Sequence, residues 1–302
     1  MRFSVVVPFL NESRWLSRTL AALERQTLPA TEFELLFVDN GSTDGSATIV
    51  AAYRQVRILF ESRRDPYLAR NRGIEAAQGE YIVFLDADCP PEPNWLEALH
   101  AAIERAPADI LIGALLYPEG VSLTLRAYEA YYNQKLAWLI ANGKTRHYFG
   151  HAGNMVFRRE VFASCGLFKP MPIVGDTEMI HRLLAQRPDA LVRFVPEACV
   201  VHAEVDSVWN TLEKLIEAGG HSQSLIPVSG YRPISLIDKL RIVAAARREQ
   251  RWNPATVAIL GLMLPVGWVA FVGGRLVRRW KPGATSRPAQ KSTGDRERDA
   301  RH

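Results

Sequence analysis

Short apolar runs alternate with helical patterns through the first half of the chain. The runs are rich in β-branched and aromatic residues, which predicts buried strands at 3–8, 34–38, 56–60 and 81–85. Apolar positions three and four residues apart predict one helix after each strand: at about 13–26, one that ends at residue 53, at 67–77 and at 93–104. Strands that are apolar on both faces and alternate with helices indicate a Rossmann-like, mostly parallel sheet with helices on both faces.

The pattern after residue 105 is less regular. It predicts strands at 110–116, 154–157 and 198–201, and helices at 123–140 and 176–186. In open α/β sheets, ligands bind beyond the carboxyl ends of the strands. Acidic and turn residues occupy those ends here: Asn11, Glu12, Asp39, Asp86 and Asp88. The sequence therefore predicts a polar site at this edge of an α/β domain.

One segment near the C-terminus, residues 255–274, has no charged residue over 20 positions. At about 1.5 Å per residue, a helix of that length crosses a hydrocarbon core of about 30 Å. Pro265 is tolerated in membrane helices, whereas it weakens a soluble one. A transmembrane helix, a re-entrant or interfacial helix and a buried core helix all remain open, because basic residues flank both ends.

Positive charge is concentrated near the C-terminus. The net charge of the 302 residues is +5, but residues 231–254 carry +4 and residues 275–302 carry +6, which leaves −5 on residues 1–230. This distribution argues against nucleic acid as a partner and indicates an anionic membrane surface beside the C-terminal part. Hydrophobic residues make up 48% of the chain, which excludes a fully disordered protein.

The segment Asp86-Ala87-Asp88 directly follows an apolar strand. Carboxylates two residues apart on an extended chain point to the same side. Two ionised carboxylates repel each other, so the pair favours a divalent cation, and oxygen ligands suit Mg²⁺ or Mn²⁺. The alternative is a loop with two solvated acids.

Four motifs follow one another along the chain. They are Val-Val-Val-Pro-Phe-Leu-Asn-Glu at 5–12, Phe-Val-Asp-Asn-Gly-Ser-Thr-Asp at 37–44, Ala-Arg-Asn-Arg-Gly at 69–73 and Phe-Leu-Asp-Ala-Asp at 84–88. Together they resemble the nucleotide-sugar-binding half of family-2 glycosyltransferases, which have a GT-A fold. The resemblance covers about residues 1–205. Asn40 is a departure, since it stands where the family pattern has a second Asp.

The resemblance implies a nucleotide pocket formed by one group of side chains: Pro8, Asn11, Glu12, Asp39, Arg70 and Asn71. Asp39 would accept an N–H of the base, and Arg70 could equally be a surface salt-bridge partner. Asp86 would face the ribose or the sugar, and Asp88 would bind the metal. In the His-Ala-Gly-Asn segment, Gly153 would allow close approach of the donor sugar, while Asn154 would bond either a sugar hydroxyl or a turn.

The resemblance also implies the acceptor side of the site. Asp176 aligns with the family's catalytic base at the start of a helix, where an anion is stabilised, and Glu178 is the fallback base. Simple capping of the helix by Asp176 is the alternative. His202 follows the last predicted strand and resembles the family's late metal-binding His, although a lone His is more often structural.

The reaction implied is inverting, metal-dependent transfer of a sugar from a nucleoside-diphosphate sugar, UDP in preference to GDP, to a hydroxyl. The acceptor is expected to be a lipid-linked or surface glycan. Two alternatives stay open. A nucleotidyltransferase would show a glycine-rich basic loop near residue 10, and a non-catalytic membrane-anchored subunit need not keep Asp88, Asp176 and His202 together.

The expected organisation is a glycosyltransferase domain at 1–205, divided at residue 105 into nucleotide-binding and acceptor halves. Amphipathic membrane-proximal helices at 206–254, the apolar helix at 255–274 and a basic, disordered tail at 275–302 follow. Three cysteines without a CxxC motif favour a reducing compartment. The enzyme is therefore expected at the cytoplasmic face of the cell membrane, with no secretory signal peptide.

Overall fold

A computed structural model describes residues 1–171, 173–205, 207–229, 231–249 and 252–280. Within these residues seven strands form one sheet: β1 Phe3–Phe9, β2 Phe33–Asp39, β3 Val56–Phe60, β4 Tyr81–Leu85, β5 Ile110–Leu116, β6 Asn154–Arg158 and β7 Val192–Val201. The helices in chain order are α1 Leu16–Glu24, α2 Ser46–Ala51, α3 Pro66–Ala76, α4 Trp95–Arg105, α5 Leu123–Ala141, α6 Arg159–Cys165, α7 Gly175–Gln186, α8 Val208–Ser229, α9 Leu236–Glu249 and α10 Pro254–Trp280.

The strands are ordered β3-β2-β1-β4-β6-β5-β7 in the sheet. β3, β2, β1 and β4 are parallel, β6 is antiparallel to both of its neighbours, and β5 is parallel to β7. The predicted mostly parallel α/β sheet is confirmed. Because β1, β2 and β4 run in the same direction, their carboxyl ends meet at one edge, where the polar motifs follow.

Both faces of the sheet are covered by helices, as the apolar strands predicted. On β1, Phe3, Val5 and Val7 join a core with α1 and α4, whereas Val6 joins a second core with α3, α6 and α7. All four side chains are fully buried. Successive side chains of a strand point to opposite faces, so a strand covered on both sides is apolar throughout.

Two element boundaries, the starts of α1 and β7, differ from the sequence expectation. α1 begins at Leu16 rather than at Ser13, whose N–H instead donates to Asp44 Oδ2 at 3.1 Å. β7 begins at Val192, six residues earlier than the strand predicted at 198–201, with an irregular register opposite Gly113 and Ala114. Buried and exposed residues alternate in the first part of β7, so the sequence has no continuous apolar run before residue 198 that would predict a strand.

Among the described residues after β7 there are three helices, α8, α9 and α10, and α8 and α10 pack backbone against backbone. A Cβ added at Gly219 would lie 2.0 Å from the carbonyl oxygen of Phe271, and one at Gly274 would lie 1.9 Å from that of Ile216. Only glycine permits such close approach of two helices.

α10 is longer than the predicted apolar segment and continues to Trp280. An 18-residue stretch within residues 254–276 has a mean hydropathy of 2.2, and the helix is long and apolar enough to cross a membrane by length and composition. Only 17% of that stretch is buried in the protein, so it is not an enclosed core helix. The expected disordered tail begins inside α10, and its remainder, residues 281–302, lies outside the described residues.

Candidate active site

A cavity of about 600 Å³ opens at the carboxyl edge formed by β1 and β4. Seven of the predicted site residues line it: Pro8, Glu12, Arg70, Asp86, Asp88, Asp176 and His202. They come from β1, α3, the loop after β4, the start of α7 and the residue after β7. Residues up to 194 positions apart, Pro8 and His202, therefore meet in one cavity.

Arg70 and Asp86 form an ion pair in this cavity, with Arg70 Nη2 2.6 Å from Asp86 Oδ1. Arg70 is buried on α3, and its guanidinium lies 5.1 Å from the centre of the Tyr67 ring. Gly153 adjoins the pair on the other side, since a Cβ there would lie 2.8 Å from Asp86 Oδ2. Any larger residue at 153 would displace the Asp86 carboxylate, which is a physical reason for glycine at this position.

Asp88, Cys89 and His202 bring possible ligand atoms within 4.8 Å of one another. His202 Nε2 lies 3.3 Å from Asp88 Oδ2, and the thiol of Cys89 donates to Asp88 Oδ1 at 3.5 Å. Burial by itself raises the pKa of Asp88, but the hydrogen bond and charge of His202 outweigh it and lower the pKa. The carboxylate is therefore ionised and available to a cation.

Burial and the nearby carboxylates raise the pKa of the Cys89 thiol well above its usual value. The thiol donates to Asp88 and so orients that carboxylate, and a soft sulfur is a poor ligand for Mg²⁺ or Mn²⁺. The remaining donors, a carboxylate oxygen and an imidazole nitrogen, suit Mn²⁺, and Mg²⁺ if water and phosphate oxygens complete its shell. These residues fit the cation that the sequence predicted.

Glu12 lies close enough to this acidic group to feel its charge. Burial raises the pKa of Glu12 to about 8, and the charges of Asp88, Glu204, Asp86 and Asp44 add to the effect. A site that gathers so much negative charge is one where a bound cation lowers the electrostatic energy.

Asp176 lies in the first turn of α7 and lines the cavity. Its Oδ2 accepts the N–H of Ala152 at 2.9 Å, and its Oδ1 accepts the N–H of Thr177 at 2.7 Å. Both bonds fix the carboxylate in one orientation. Val174, which precedes the helix, has a φ of 65°. A β-branched residue in this conformation is strained, and such strain is typical of functional sites.

Gly175 is a second departure from the family-2 pattern that the sequence resembles, since that pattern often has Glu directly before the Asp that aligns with Asp176. A Cβ at this position would lie 2.8 Å from ring atoms of Tyr67, so a longer side chain would collide with the ring. Tyr67 thus occupies the space that the missing side chain would need.

Asn40, the other departure from the family pattern, is buried at the end of β2. Its Nδ2 donates to the carbonyl oxygens of Glu61 at 3.0 Å and Arg63 at 2.6 Å. A carboxylate cannot make either bond. Asparagine at this position therefore stabilises the course of the backbone after β3.

Asn11 and Asp39 organise the loop beside the cavity. Asp39 Oδ1 accepts the N–H groups of Gly41 and Ser42 at 3.1 and 2.8 Å, and Asn11 Oδ1 accepts that of Thr43 at 2.8 Å. Asn11 has a φ of 58°, a left-handed conformation that Asn tolerates. Oδ2 of Asp39 has no hydrogen-bond partner within the described part of the chain, which leaves it available to a ligand.

Six of the sequence-predicted residues do not line the cavity, and three of these six make structural contacts within the protein instead. Asn154 Nδ2 donates to the carbonyls of Ala114 and Ala198, and Asn71 exchanges two hydrogen bonds with the backbone of Phe168. Glu178 is buried in ion pairs with Lys169 at 2.7 Å and Arg182 at 3.1 Å. We therefore correct the expectation for each: Asn154 and Asn71 fix the backbone, and Glu178 is an ion-pair residue rather than a second base.

Sequence reasoning missed several cavity residues, among them Tyr67, His151 and Lys214. Tyr67 precedes the Ala-Arg-Asn motif on α3, and His151 is two residues before Gly153, so proximity to a motif was a usable signal for both. The His151 ring lies 5.6 Å from that of His202, and burial lowers its pKa, with the charge of His202 adding to the effect. Lys214 lies beyond the motifs, and nothing local indicated it.

The chain matches known proteins along its sequence. The family model described as Glycosyl transferase family 2 matches residues 4–166, more than half of the chain. Glycosyltransferase AglE of Haloferax volcanii is 33% identical over 179 residues, which are 57% of this chain and 57% of AglE. The poly(ribitol-phosphate) beta-N-acetylglucosaminyltransferase TarS of Staphylococcus aureus is 34% identical over 117 residues, 37% of this chain and 20% of TarS. The matches thus span less than two thirds of these curated relatives.

Solved structures support the fold. A mannosyltransferase from Pyrobaculum calidifontis, in complex with GDP-Man and Mn²⁺, superposes with a TM-score of 0.65 at 17% identity, over 94% of this chain and 88% of that one. Residues 1–349 of S. aureus TarS, in complex with UDP-GlcNAc, superpose with a TM-score of 0.55 at 17% identity, over 95% and 93%. The expected GT-A fold is confirmed by these likenesses.

Proposed function

The chain belongs to glycosyl transferase family 2, and from that premise we propose that it is an inverting, metal-dependent glycosyltransferase. It moves a sugar from a nucleoside-diphosphate sugar to a hydroxyl of a lipid-linked or surface-glycan acceptor. One observation carries the proposal: a single cavity collects the Arg70–Asp86 pair, the Asp88–His202 pair and Asp176. The two pairs suit a sugar diphosphate with its cation, and Asp176 suits an acceptor hydroxyl.

The nucleotide is UDP in preference to GDP. Oδ1 of Asp39 is already engaged by two backbone N–H groups, so Oδ2 is left for the base. Uracil offers one ring N–H, whereas guanine offers a ring N–H and an amino group side by side. A single available oxygen matches the uracil edge better.

Asp176 is the proposed general base. The acceptor hydroxyl loses its proton to the Asp176 carboxylate while its oxygen forms a bond to the anomeric carbon. The bond between that carbon and the diphosphate oxygen breaks, and its electron pair stays on the diphosphate. Because one displacement occurs on the face opposite the leaving group, the configuration is inverted. The hydrogen bonds from Ala152 and Thr177 hold the carboxylate in the required orientation.

Asp88 and His202 are the proposed ligands of Mg²⁺ or Mn²⁺. A divalent cation bound there would offset the charge that accumulates on the departing diphosphate. Arg70 is placed to keep Asp86 beside the sugar, and Gly153 leaves room for it.

The proposed organisation is a catalytic domain at 1–205, followed by membrane-proximal helices within 206–254 and an apolar anchor that covers 255–274. The exposed apolar residues of α10 support membrane association, among them Leu262, Val266 and Val269. Basic residues on both sides of the apolar segment 255–274 favour an anionic, cytoplasmic leaflet, where soluble sugar nucleotides are available.

The family match favours this reaction over a nucleotidyltransferase. A non-catalytic binding subunit would have no need of Asp176 in the same cavity as Asp88 and His202. Mn²⁺-dependent hydrolysis of sugar nucleotides by the purified chain distinguishes these possibilities, since a binding subunit releases no nucleoside diphosphate.

The base assignment is tested with Asp176→Ala, assayed for transfer and for UDP binding by calorimetry. We expect transfer to fall by about 10²–10⁴-fold, the usual contribution of a general base, with UDP affinity changed by less than about threefold. Asp88→Asn is the matched variant on the donor side and should lower UDP affinity only when Mn²⁺ is present. Equal loss of transfer and UDP binding in Asp176→Ala would remove Asp176 from the role of base.

A further inference from the structure

A second cavity, of about 220 Å³, lies beside the donor cavity, between α5, α8 and α10. The two cavities share three lining residues, Gly150, Val174 and Thr177. Val174 and Thr177 flank the Gly175-Asp176 segment, so the proposed base lies at the boundary between the cavities. A molecule in the second cavity can therefore extend towards Asp176 without passing through the donor site.

The lining of this second cavity is largely apolar. It includes Leu215 from α8 and Met263, Leu264 and Phe271 from α10. Since an apolar cavity of about 150 Å³ takes up benzene, this one accommodates a segment of a hydrocarbon chain. The outer side of α10 is apolar as well, with Leu262 75% exposed. The helix that is proposed to meet the membrane thus also forms one wall of the cavity.

Two lysines also line the cavity, Lys135 on α5 and Lys239 on α9. The ammonium of Lys135 lies 4.0 Å from the centre of the Phe149 ring and 4.9 Å from that of Tyr132. Neither lysine has a carboxylate within ion-pair distance among the described residues. Two cations that face one apolar cavity without a counter-ion are complementary to an anionic ligand.

The pKa values of both lysines agree with that geometry. Burial lowers the pKa of Lys135 to about 7, and the charge of Lys239 adds to the effect. Burial lowers the pKa of Lys239 to about 8. A phosphate between the two ammonium groups would restore their charged forms, because an opposite charge nearby favours ionisation.

We propose that this second cavity binds the lipid-phosphate portion of the acceptor, with the hydrocarbon chain among the apolar residues and the phosphate between Lys135 and Lys239. The sugar attached to the phosphate then presents its hydroxyl at Asp176. The phosphate is a recognition group, and no bond to it is made or broken. The inference rests on the proposed function, since it makes the donor cavity the site of transfer.

The test measures binding of farnesyl phosphate to the full chain in phosphatidylcholine nanodiscs, by the fluorescence of tryptophan, of which Trp268 lines the cavity. We expect farnesyl phosphate to bind at least about tenfold more tightly than farnesol or inorganic phosphate, since hydrogen bonds between charged groups are the strong ones. Lys135→Gln and Lys239→Gln should each weaken farnesyl phosphate about tenfold or more and leave farnesol unchanged. Lys144→Gln, at an exposed lysine outside both cavities, should bind as the wild type does.

UDP binding with Mn²⁺, measured on the same samples, distinguishes failure of the acceptor-cavity proposal from failure of the proposed function. UDP affinity that is retained in both lysine variants shows that they are folded, and their weakened farnesyl phosphate binding then supports the acceptor cavity. Farnesyl phosphate bound no better than farnesol, or unaffected by both substitutions, would overturn it. Equal binding of phosphatidic acid supplied in the nanodisc would also overturn it, because the lysines would then recognise bulk lipid. Failure of the wild type to bind either UDP or GDP would instead refute the proposed function.

Discussion

Replacing Asn40 with the aspartate of the family pattern should destabilise this protein. Asn40 is 3% exposed, and its amide donates to the carbonyls of Glu61 and Arg63 at 3.0 and 2.6 Å. A carboxylate would turn both donors into acceptors that face carbonyl oxygens. The side chain can avoid this only by binding a proton, and then it supplies one donor in place of two.

The magnitude follows from the cost of that proton. An aspartate with an ordinary pKa of about 3.9 is protonated at pH 7 at a cost of about 4 kcal/mol, and at pH 5 at about 1.5 kcal/mol. Loss of the second hydrogen bond adds about 1 kcal/mol at either pH. Asn40→Asp should therefore lose about 5 kcal/mol at pH 7 and about 2.5 kcal/mol at pH 5, in the limit where the folded protein keeps the carboxyl neutral. The sign is that of a raised carboxyl pKa, so the penalty grows with pH above the pKa of the unfolded chain.

Thermal unfolding of Asn40→Asp and the wild type at pH 5 and pH 7 measures this loss of stability. With about 2–4 °C per kcal/mol, the Tm should fall by about 10–20 °C at pH 7 and by about half as much at pH 5. Asn142→Asp is the matched control, since Asn142 also donates to a carbonyl, that of Trp138, but is exposed. It should lose no more than about 3 °C, since exposed groups stay solvated. A Tm deficit of Asn40→Asp that is equal at the two pH values, or no larger than that of the control, would refute the reasoning.

Two further predictions follow from the site and from the C-terminal helices. In metal-free buffer, the Tm of Glu12→Gln should rise relative to that of the wild type as pH increases from 5 to 8, because the raised pKa of about 8 makes the charged Glu12 unfavourable in the folded state. Saturating Mn²⁺ should reduce this difference in Tm. A difference in Tm that does not change with pH would contradict the account. Gly219→Ala should lower the free energy of unfolding by about 1–3 kcal/mol, since the new Cβ meets the Phe271 backbone. Gly261→Ala, with no atom within 4 Å of its Cβ, should stabilise α10 by up to about 1 kcal/mol in chemical denaturation, and equal effects of the two substitutions would show that α8 and α10 are not in close contact.

The motifs at 5–12 and 84–88 located one side of the cavity because each spans the end of a strand whose position was readable. Pro8 lies near the end of β1 and Glu12 follows it, Asp86 and Asp88 follow β4, and parallel strands bring these ends together. Asn154 and Glu178 were misassigned for the opposite reason. Their residue types suited a ligand, but whether a polar side chain turns to a cavity or to a buried carbonyl depends on neighbours distant in sequence.

The amino-acid sequence alone determined the strands of the first half of the chain, the edge that carries the chemistry and the family, because hydrophobic periodicity and ordered motifs are local properties. Tertiary structure decided the antiparallel β6, the early start of β7, the cavity shared between α5, α8 and α10, and the presence of both Lys135 and Lys239 in its lining. Those features arise where segments far apart in the chain pack together. Their free energy lies in contacts between elements, which the pattern within any one element does not contain.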